Sequence, residues 1–296
     1  MNDGRVLQMA AHTRTPSRPL PVEVLKAAAI AARSGAFDPA PPAYHPVAAD
    51  TGPDAAPFGE SATPLVAVLA GHAGAGASTV ALALAEALSG RWRVQLVEYC
   101  EPHLSGLGAA SFDELGVDDA GWRRGRRGPL DLARLSQARE LVDCFPPPQP
   151  MLTPGDRLLV LDLGAAAARL LRDPAGWLAT MVGSAEVVVV TRLTVPGVRQ
   201  SEHLLSALPV PAVLATVGSG RWPGEVAASC GPSIRSARDA GRTVMVPIDR
   251  RLEVSGLTGD PLPKSVTAAG KALAAHLRPE QPVLPGMSVP PLQERF

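Results

Sequence analysis

The stretch that decides the fold is LVAVLAGHAGAGASTVALALAEALSG, residues 65–90. Its apolar first part, 65–71, is typical of a strand buried on both faces, and its last part, 78–90, is typical of a helix followed by glycine. Glycines between a strand and a helix let successive backbone N–H groups turn inward on an anion, near the positive end of the helix dipole. The stretch therefore predicts a phosphate-binding loop. The alternative is a tight strand-to-helix turn that uses glycine for close packing.

The spacing of this loop matches the Walker A pattern, G-x-x-x-x-G-K-[ST], at every fixed position except one. Gly71, Gly76 and Ser78 fit the pattern, but Ala77 stands where the lysine belongs. Ser78 is then placed to offer its hydroxyl to Mg²⁺. Further along, Asp162 closes an apolar run, where a carboxylate can hold the water shell of the same ion. The order of these features favours a nucleotide site over a bare turn.

The rest of the chain alternates apolar runs with helical stretches. Five more strands and a closing amphipathic helix are predicted, at 93–99, 156–164, 185–193, 211–218 and 243–249 for the strands and 263–277 for the helix. Strands that are apolar throughout and separated by helices indicate a mostly parallel sheet covered on both sides. We therefore expect a three-layer α/β/α fold.

The two ends of the chain have a different composition. Residues 1–62 and 279–296 are rich in proline, so we expect disordered tails around a domain at 63–278, with a short helix predicted at 22–36. We expect any protein partner to bind through these tails. Three scattered cysteines and the lack of an apolar signal or membrane-length run indicate a cytoplasmic protein that does not enter a membrane.

The sequence resembles the ParA/MinD-type ATPases, the deviant Walker A (SIMIBI-class) branch of the P-loop NTPases. The resemblance runs over about residues 63–278. It lies in the loop stretch and in LLVLDLG, VVVVTRLTVPGVRQSEHLL, PAVLATVG and MVPIDRRLEVSGLTGDPLPKSV, which follow in the family's order. It implies an ATP- and Mg²⁺-dependent switch that forms a face-to-face homodimer and positions or partitions a cellular cargo.

The resemblance also implies roles for individual residues. Backbone N–H groups of the loop would contact the phosphates, Thr79 would contact the α-phosphate, and Pro247 would border the base. Ser78, Asp162 and Glu98 would serve the metal. The implied nucleotide-binding set is Gly71, His72, Gly74, Ala75, Gly76, Ala77, Ser78, Thr79 and Pro247.

The chain departs from the family at both lysines of the loop. The positions read Ala77 and His72, so the cation that contacts the β- and γ-phosphates and the one that reaches across the dimer are both missing. A histidine that is mostly neutral at pH 7 does not replace a fixed charge. Losing such a contact removes several kcal/mol of transition-state stabilisation. We therefore expect ATP binding with weak or absent hydrolysis. The alternative is a pseudo-ATPase scaffold that binds protein partners without nucleotide.

The densest positive cluster is GWRRGRRG, residues 121–128. It is interpreted as a solvated loop, as a basic patch that binds DNA, or as the source of the missing cation, in the same chain or across a dimer. The zero formal net charge of the chain disfavours the DNA-binding alternative. The four arginines in question are Arg123, Arg124, Arg126 and Arg127.

Overall fold

A computed structural model describes residues 64–137, 157–164 and 181–279. The predicted tail at 1–62, with its helix at 22–36, lies outside these residues, as does the tail at 279–296 apart from its first residue. Every element named below belongs to the described part of the chain.

Nine strands form one sheet in the order β3-β4-β5-β2-β6-β1-β7-β8-β9. The strands are β1 (Leu65–Ala70), β2 (Arg93–Glu98), β3 (Asp113–Val117), β4 (Trp122–Arg127), β5 (Leu130–Leu135), β6 (Arg157–Gly164), β7 (Glu186–Arg192), β8 (Ala212–Gly218) and β9 (Thr243–Pro247). Seven neighbouring strands, from β5 to β9 in the sheet, run parallel, and β4 is antiparallel to both β3 and β5. The predicted mostly parallel α/β sheet is confirmed.

Helices cover both faces of this sheet. They are α1 (Ala77–Leu88), α2 (Val195–Ala207), α3 (Gly224–Ala228), α4 (Pro232–Asp239), α5 (Arg250–Ser255) and α6 (Lys264–His276). Alternate residues of β1 point to opposite faces, so Val66 and Val68 join the core beneath α1 and α6. Ala67 and Leu69 join the core on the other face, beneath α2, α3 and α4. The result is the predicted three-layer arrangement, with the loop after β1 at the carboxyl edge of the sheet.

The predicted strands and helices agree with the structure to within two residues at each end. The sequence did not predict the meander β3–β4–β5. Its middle strand carries most of the cluster GWRRGRRG, and the solvated loop expected there is wrong. Arg124 and Arg127 lie buried within β4, whereas Arg123 and Arg126 are exposed.

The buried arginines are held by partners inside the fold. Arg127 bonds Glu86 of α1 at 2.6 Å and also donates to three backbone carbonyls, of Ala110, Thr258 and Asp260. Arg124 pairs with Asp118 at 2.7 Å. Because β4 is four strands from β1, the strand that the loop follows, these two strands lie about 19 Å apart. None of the four arginines can therefore supply the loop's missing cation within the same chain.

Candidate functional site

Three charged side chains lie in one row at the carboxyl edge of the sheet. Glu98 of β2 is aligned with Asp162 of β6 on one side and with Arg134 of β5 on the other. Aligned residues of neighbouring parallel strands are about 4.8 Å apart and point to the same face. All three are almost completely buried, at 1%, 1% and 2% relative exposure in that order. The sheet thus places an acid pair, flanked by a guanidinium, beside the loop.

The Asp162 carboxyl holds its proton more tightly than an ordinary aspartate does. Burial and, after it, the neighbouring Glu98 carboxylate together raise its pKa to about 7, against the lowering effect of hydrogen bonds from Ser78 and the Gly164 backbone. Its Oδ1 accepts the Gly164 N–H at 3.1 Å. Its Oδ2 is buried and has no hydrogen-bond partner among the described residues. This oxygen is open to a further donor or to a cation.

Glu98 is capped by the segment that follows β2. Its Oε1 accepts the N–H groups of Gly106, at 2.8 Å, and Leu107, at 3.1 Å. Its Oε2 accepts the Ser105 hydroxyl. Burial still raises the pKa of Glu98, with these bonds and the Arg134 guanidinium acting in the opposite direction. Arg134 itself donates to the carbonyls of Leu107 and Gly108, so it fixes the segment that caps the acid.

The same segment closes over Ser78. A Cβ at Gly106 would collide with the Ser78 hydroxyl. The structure therefore brings together the three residues predicted to serve a metal, Ser78, Glu98 and Asp162, with residues 105–107 packed against them. Ser105, Gly106 and Arg134 were missed by the sequence analysis, because nothing in their local pattern distinguishes them from ordinary loop and strand residues.

The loop adopts the backbone conformation that its glycines predict. Gly74 and Gly76 have φ of 71° and 95°, the left-handed region in which glycine is favoured. Gly76 precedes α1, whose N-terminus has no side-chain cap. A Cβ at Gly71 would overlap Ser201 of α2, so this glycine is needed for helix packing. The loop thus combines a packing glycine with two glycines that shape an uncapped helix N-terminus.

Two predicted loop positions face the protein interior. Ala75 and Ala77 have exposures of 1% and 6% and belong to the core beneath α1. Ala77 occupies the place of the Walker A lysine as the first residue of α1. Ala75 and Ala77 would therefore contact a ligand only through their backbone atoms.

His72 is bound within its own chain. Its Nε2 accepts the backbone N–H of Arg192 at 3.1 Å, and its Nδ1 lies 2.9 Å from the Ala73 carbonyl. Accepting from an N–H leaves Nε2 without a proton, so the pattern places the proton on Nδ1. The ring also lies against Gly197 at the start of α2, where a Cβ would come within 2.9 Å of Nε2. His72 therefore ties the loop to the end of β7.

A cleft opens between the loop and the end of the sheet, with a volume of about 110 Å³. It is lined by Gly76, Thr79, Val80, Arg192, Val217, Val246, Pro247, Ile248, Asp249, Leu252 and Glu253. Thr79, predicted to contact the α-phosphate, and Pro247, predicted to border the base, therefore line one cavity. The sequence analysis missed Arg192 and Glu253. Arg192 could have been noticed as the charged residue that ends the otherwise apolar strand β7.

No set of three or more His, Cys, Asp and Glu side chains within residues 64–137, 157–164 and 181–279 is arranged to hold a metal ion. Among the described helices, none has the length and apolar character required to cross a membrane.

No protein-family model and no curated protein matches this chain. Solved structures are similar to it, and they include ParA and MinD ATPases. A ParA family ATPase from Chlorobium tepidum TLS is 17% identical, with a TM-score of 0.47 over 73% of this chain and 99% of its own. The septum site-determining protein MinD from Pyrococcus horikoshii OT3, complexed with Mg-ADP, is 17% identical, with a TM-score of 0.47 over 72% and 94%. A chain of the MinC:MinD cell division protein complex from Aquifex aeolicus is 14% identical, with a TM-score of 0.45 over 74% of this chain and 99% of its own.

Proposed function

We propose that this chain is a ParA/MinD-like switch protein that binds ATP with Mg²⁺, hydrolyses it weakly or not at all, and positions or partitions a cellular cargo. The observation that carries the proposal is the cleft in which Gly76 and Thr79 of the loop face Pro247 of β9. An uncapped helix N-terminus, shaped by two left-handed glycines, borders this cleft. Helix N-termini of this kind bind phosphate through backbone N–H groups and the helix dipole.

Ser78 and Asp162 suit Mg²⁺ in kind. Mg²⁺ prefers oxygen ligands, keeps several waters and shares its coordination with phosphates. Ser78 offers a hydroxyl next to Asp162, and Asp162 offers Oδ2, a buried carboxylate oxygen without a hydrogen-bond partner of ordinary geometry among the described residues. Mg²⁺ would neutralise phosphate charge in such a site. Ser78 and Asp162 would hold it, with Glu98 orienting ligands from one strand further along the sheet.

Hydrolysis is proposed to be weak because the loop lacks its cation. Ala77 is buried in the core and carries no charge, and His72 bonds the backbone of its own chain. His72 therefore does not take the part of a lysine that reaches into a partner across a homodimer. Transition-state stabilisation worth several kcal/mol is lost without the loop cation, while binding through backbone N–H groups is kept.

A second candidate is a pseudo-ATPase scaffold that binds protein partners, through its tails, without nucleotide. The packing of residues 105–107 favours it, because Gly106 lies against Ser78 and its N–H already engages Glu98. In this second function, residues 105–107 keep the metal position beside Ser78 closed. DNA binding through the arginine cluster loses support, since Arg124 and Arg127 form ion pairs within the fold, with Asp118 and Glu86.

Two glycine variants test nucleotide binding by the loop. Gly74 and Gly241 have similar left-handed φ values, 71° and 66°, and in both cases a Cβ would meet no atom within 4 Å. Gly241 precedes β9, at the opposite edge of the sheet from the loop. We expect ATP and Mg²⁺ to raise the melting temperature of the wild type and of Gly241→Ala, and to raise that of Gly74→Ala much less. Equal shifts in all three proteins would contradict binding at the loop. The absence of any shift would favour the scaffold.

A further inference from the structure

The cleft contains a cation that the loop does not provide. Among the described residues that line it, Arg192 alone is positively charged, and two carboxylates, of Asp249 and Glu253, share the cleft with it. Residues 71–79 contain neither lysine nor arginine. Any anionic group bound between Thr79 and Pro247 would therefore meet Arg192 as its available fixed positive charge within the described part of the chain.

The backbone of Arg192 is held rigidly. Its N–H donates to Nε2 of His72 at 3.1 Å, and its carbonyl accepts the N–H of Thr194 at 2.8 Å. Arg192 is also the last residue of β7, which pairs with β1 directly before the loop. The base of the side chain is thus fixed relative to the loop through His72.

The guanidinium, by contrast, is held loosely. Its Nε is buried without a hydrogen-bond partner in the described chain, and one terminal nitrogen lies 3.3 Å from Oε1 of Glu253. A close charge-assisted bond would measure about 2.8 Å. Both side chains are also more than a third exposed, at 42% and 45%. An ion pair of this kind contributes little and is readily exchanged for a better anion.

A phosphate is such an anion, because its several oxygens can accept hydrogen bonds from the planar fork of donors on an arginine. One of those donors, the Nε–H of Arg192, has no partner in the described chain. The Glu253 carboxylate has room to move aside, because Glu253 is exposed on the short helix α5.

We infer that Arg192 is the phosphate-binding cation of this cleft and that Glu253 holds it until a nucleoside di- or triphosphate displaces the carboxylate. This inference rests on the proposed nucleotide binding. It assigns to the end of β7 the charge that the loop has lost, and it makes His72 the residue that positions this charge.

Competition with a fluorescent ATP analogue on the full-length protein tests it, with ADP and adenosine as competitors. We expect Arg192→Gln to weaken ADP binding by roughly tenfold or more, the loss of a bond to a charged group, and to leave adenosine binding unchanged. Glu253→Gln should tighten ADP binding by roughly two- to fivefold, because it frees the guanidinium. Arg250→Gln is the matched control, since Arg250 is exposed on α5 and does not line the cleft. It should leave both affinities unchanged.

The outcomes separate this inference from the function on which it rests. If the wild type binds ADP and Arg192→Gln binds it equally well, Arg192 is not the phosphate-binding cation although the nucleotide site stands. If Glu253→Gln weakens ADP binding, the assigned role of Glu253 is overturned. If the wild type binds neither competitor nor the analogue, both the proposed function and this inference fall.

Discussion

The imidazole of His72 and the backbone of Arg192 are joined by a hydrogen bond of 3.1 Å across 120 residues of sequence. The bond fastens the loop after β1 to the end of β7. His72 is thus an internal connection between these two parts of the chain.

His72→Ala should therefore destabilise the protein. It leaves the Arg192 N–H without its acceptor and removes the ring that packs against Gly197. The expected cost is about 1–3 kcal/mol, the penalty for an unpaired backbone donor. Denaturant unfolding measures it. His103→Ala is the control, because the side chain of His103 is 66% exposed and pairs only with Glu101 among the described residues. Equal stability of the two variants would show that His72 has no structural role.

Asp162→Asn should stabilise the metal-free protein at neutral and higher pH. The folded pKa of about 7 lies above the ordinary value of 3.8, so the unfolded chain loses this proton first. Wild-type stability contributed by this group is complete below pH 3.8, falls as the pH rises to about 7, and stays level above. Burial also raises the pKa of Glu98, so Glu98 likewise lowers the stability as the pH rises, in the variant as in the wild type.

The measurement is the difference in unfolding free energy between Asp162→Asn and wild type from pH 4 to pH 8 in the presence of a chelator. We expect the difference to move in favour of the variant across this range, by up to about 4 kcal/mol for a three-unit shift. Asp119→Asn is the matched control, since Asp119 is exposed on the turn before β4. A difference that does not change with pH would contradict the account of the acid pair.

Gly106→Ala tests the closure of residues 105–107 over the metal position. The added methyl group would collide with the Ser78 hydroxyl, whereas the same change at Gly108 meets nothing closer than 3.7 Å. We therefore expect Gly106→Ala to lower the melting temperature of the metal-free protein and Gly108→Ala to leave it nearly unchanged. Comparable melting temperatures for the two variants would show that the segment does not rest on Ser78.

Arg127→Met tests the buried role of the arginine cluster. The substitution strips Glu86 and three carbonyls of their partner, so unfolding should become easier by about 3 kcal/mol. Arg123→Met, on the exposed side of the same strand, should change stability by less than about 0.5 kcal/mol. Salt-dependent DNA binding that is lost in Arg123→Met would restore the nucleic-acid interpretation.

The sequence predicts the central sheet well because β1, β6 and β7 are buried on both faces, which forces most of their residues to be apolar. Strand β4 breaks that rule. Its inward residues include arginines, and two of the three carbonyls that accept from Arg127 lie more than 130 residues away, at Thr258 and Asp260. No local pattern carries such information.

The site residues differ in the same way: some are marked by a local pattern, and others come together only in the fold. Ser78 and Asp162 were predictable because a motif and a strand end mark them. Arg192 and Glu253 are 61 residues apart and meet only when β7 and α5 converge on the cleft. Likewise, the alignment of Glu98 with Arg134 depends on β5, a strand that the sequence did not predict.

The proposed switch binds ATP with Mg²⁺ and turns it over slowly if at all. A calorimetric titration of the full-length protein with ATP in Mg²⁺ buffer tests binding and turnover at once. We expect saturable heat that returns to the baseline after each injection. No binding heat up to high micromolar ATP would contradict nucleotide binding, and a sustained heat of hydrolysis after each injection would contradict the loss of catalysis.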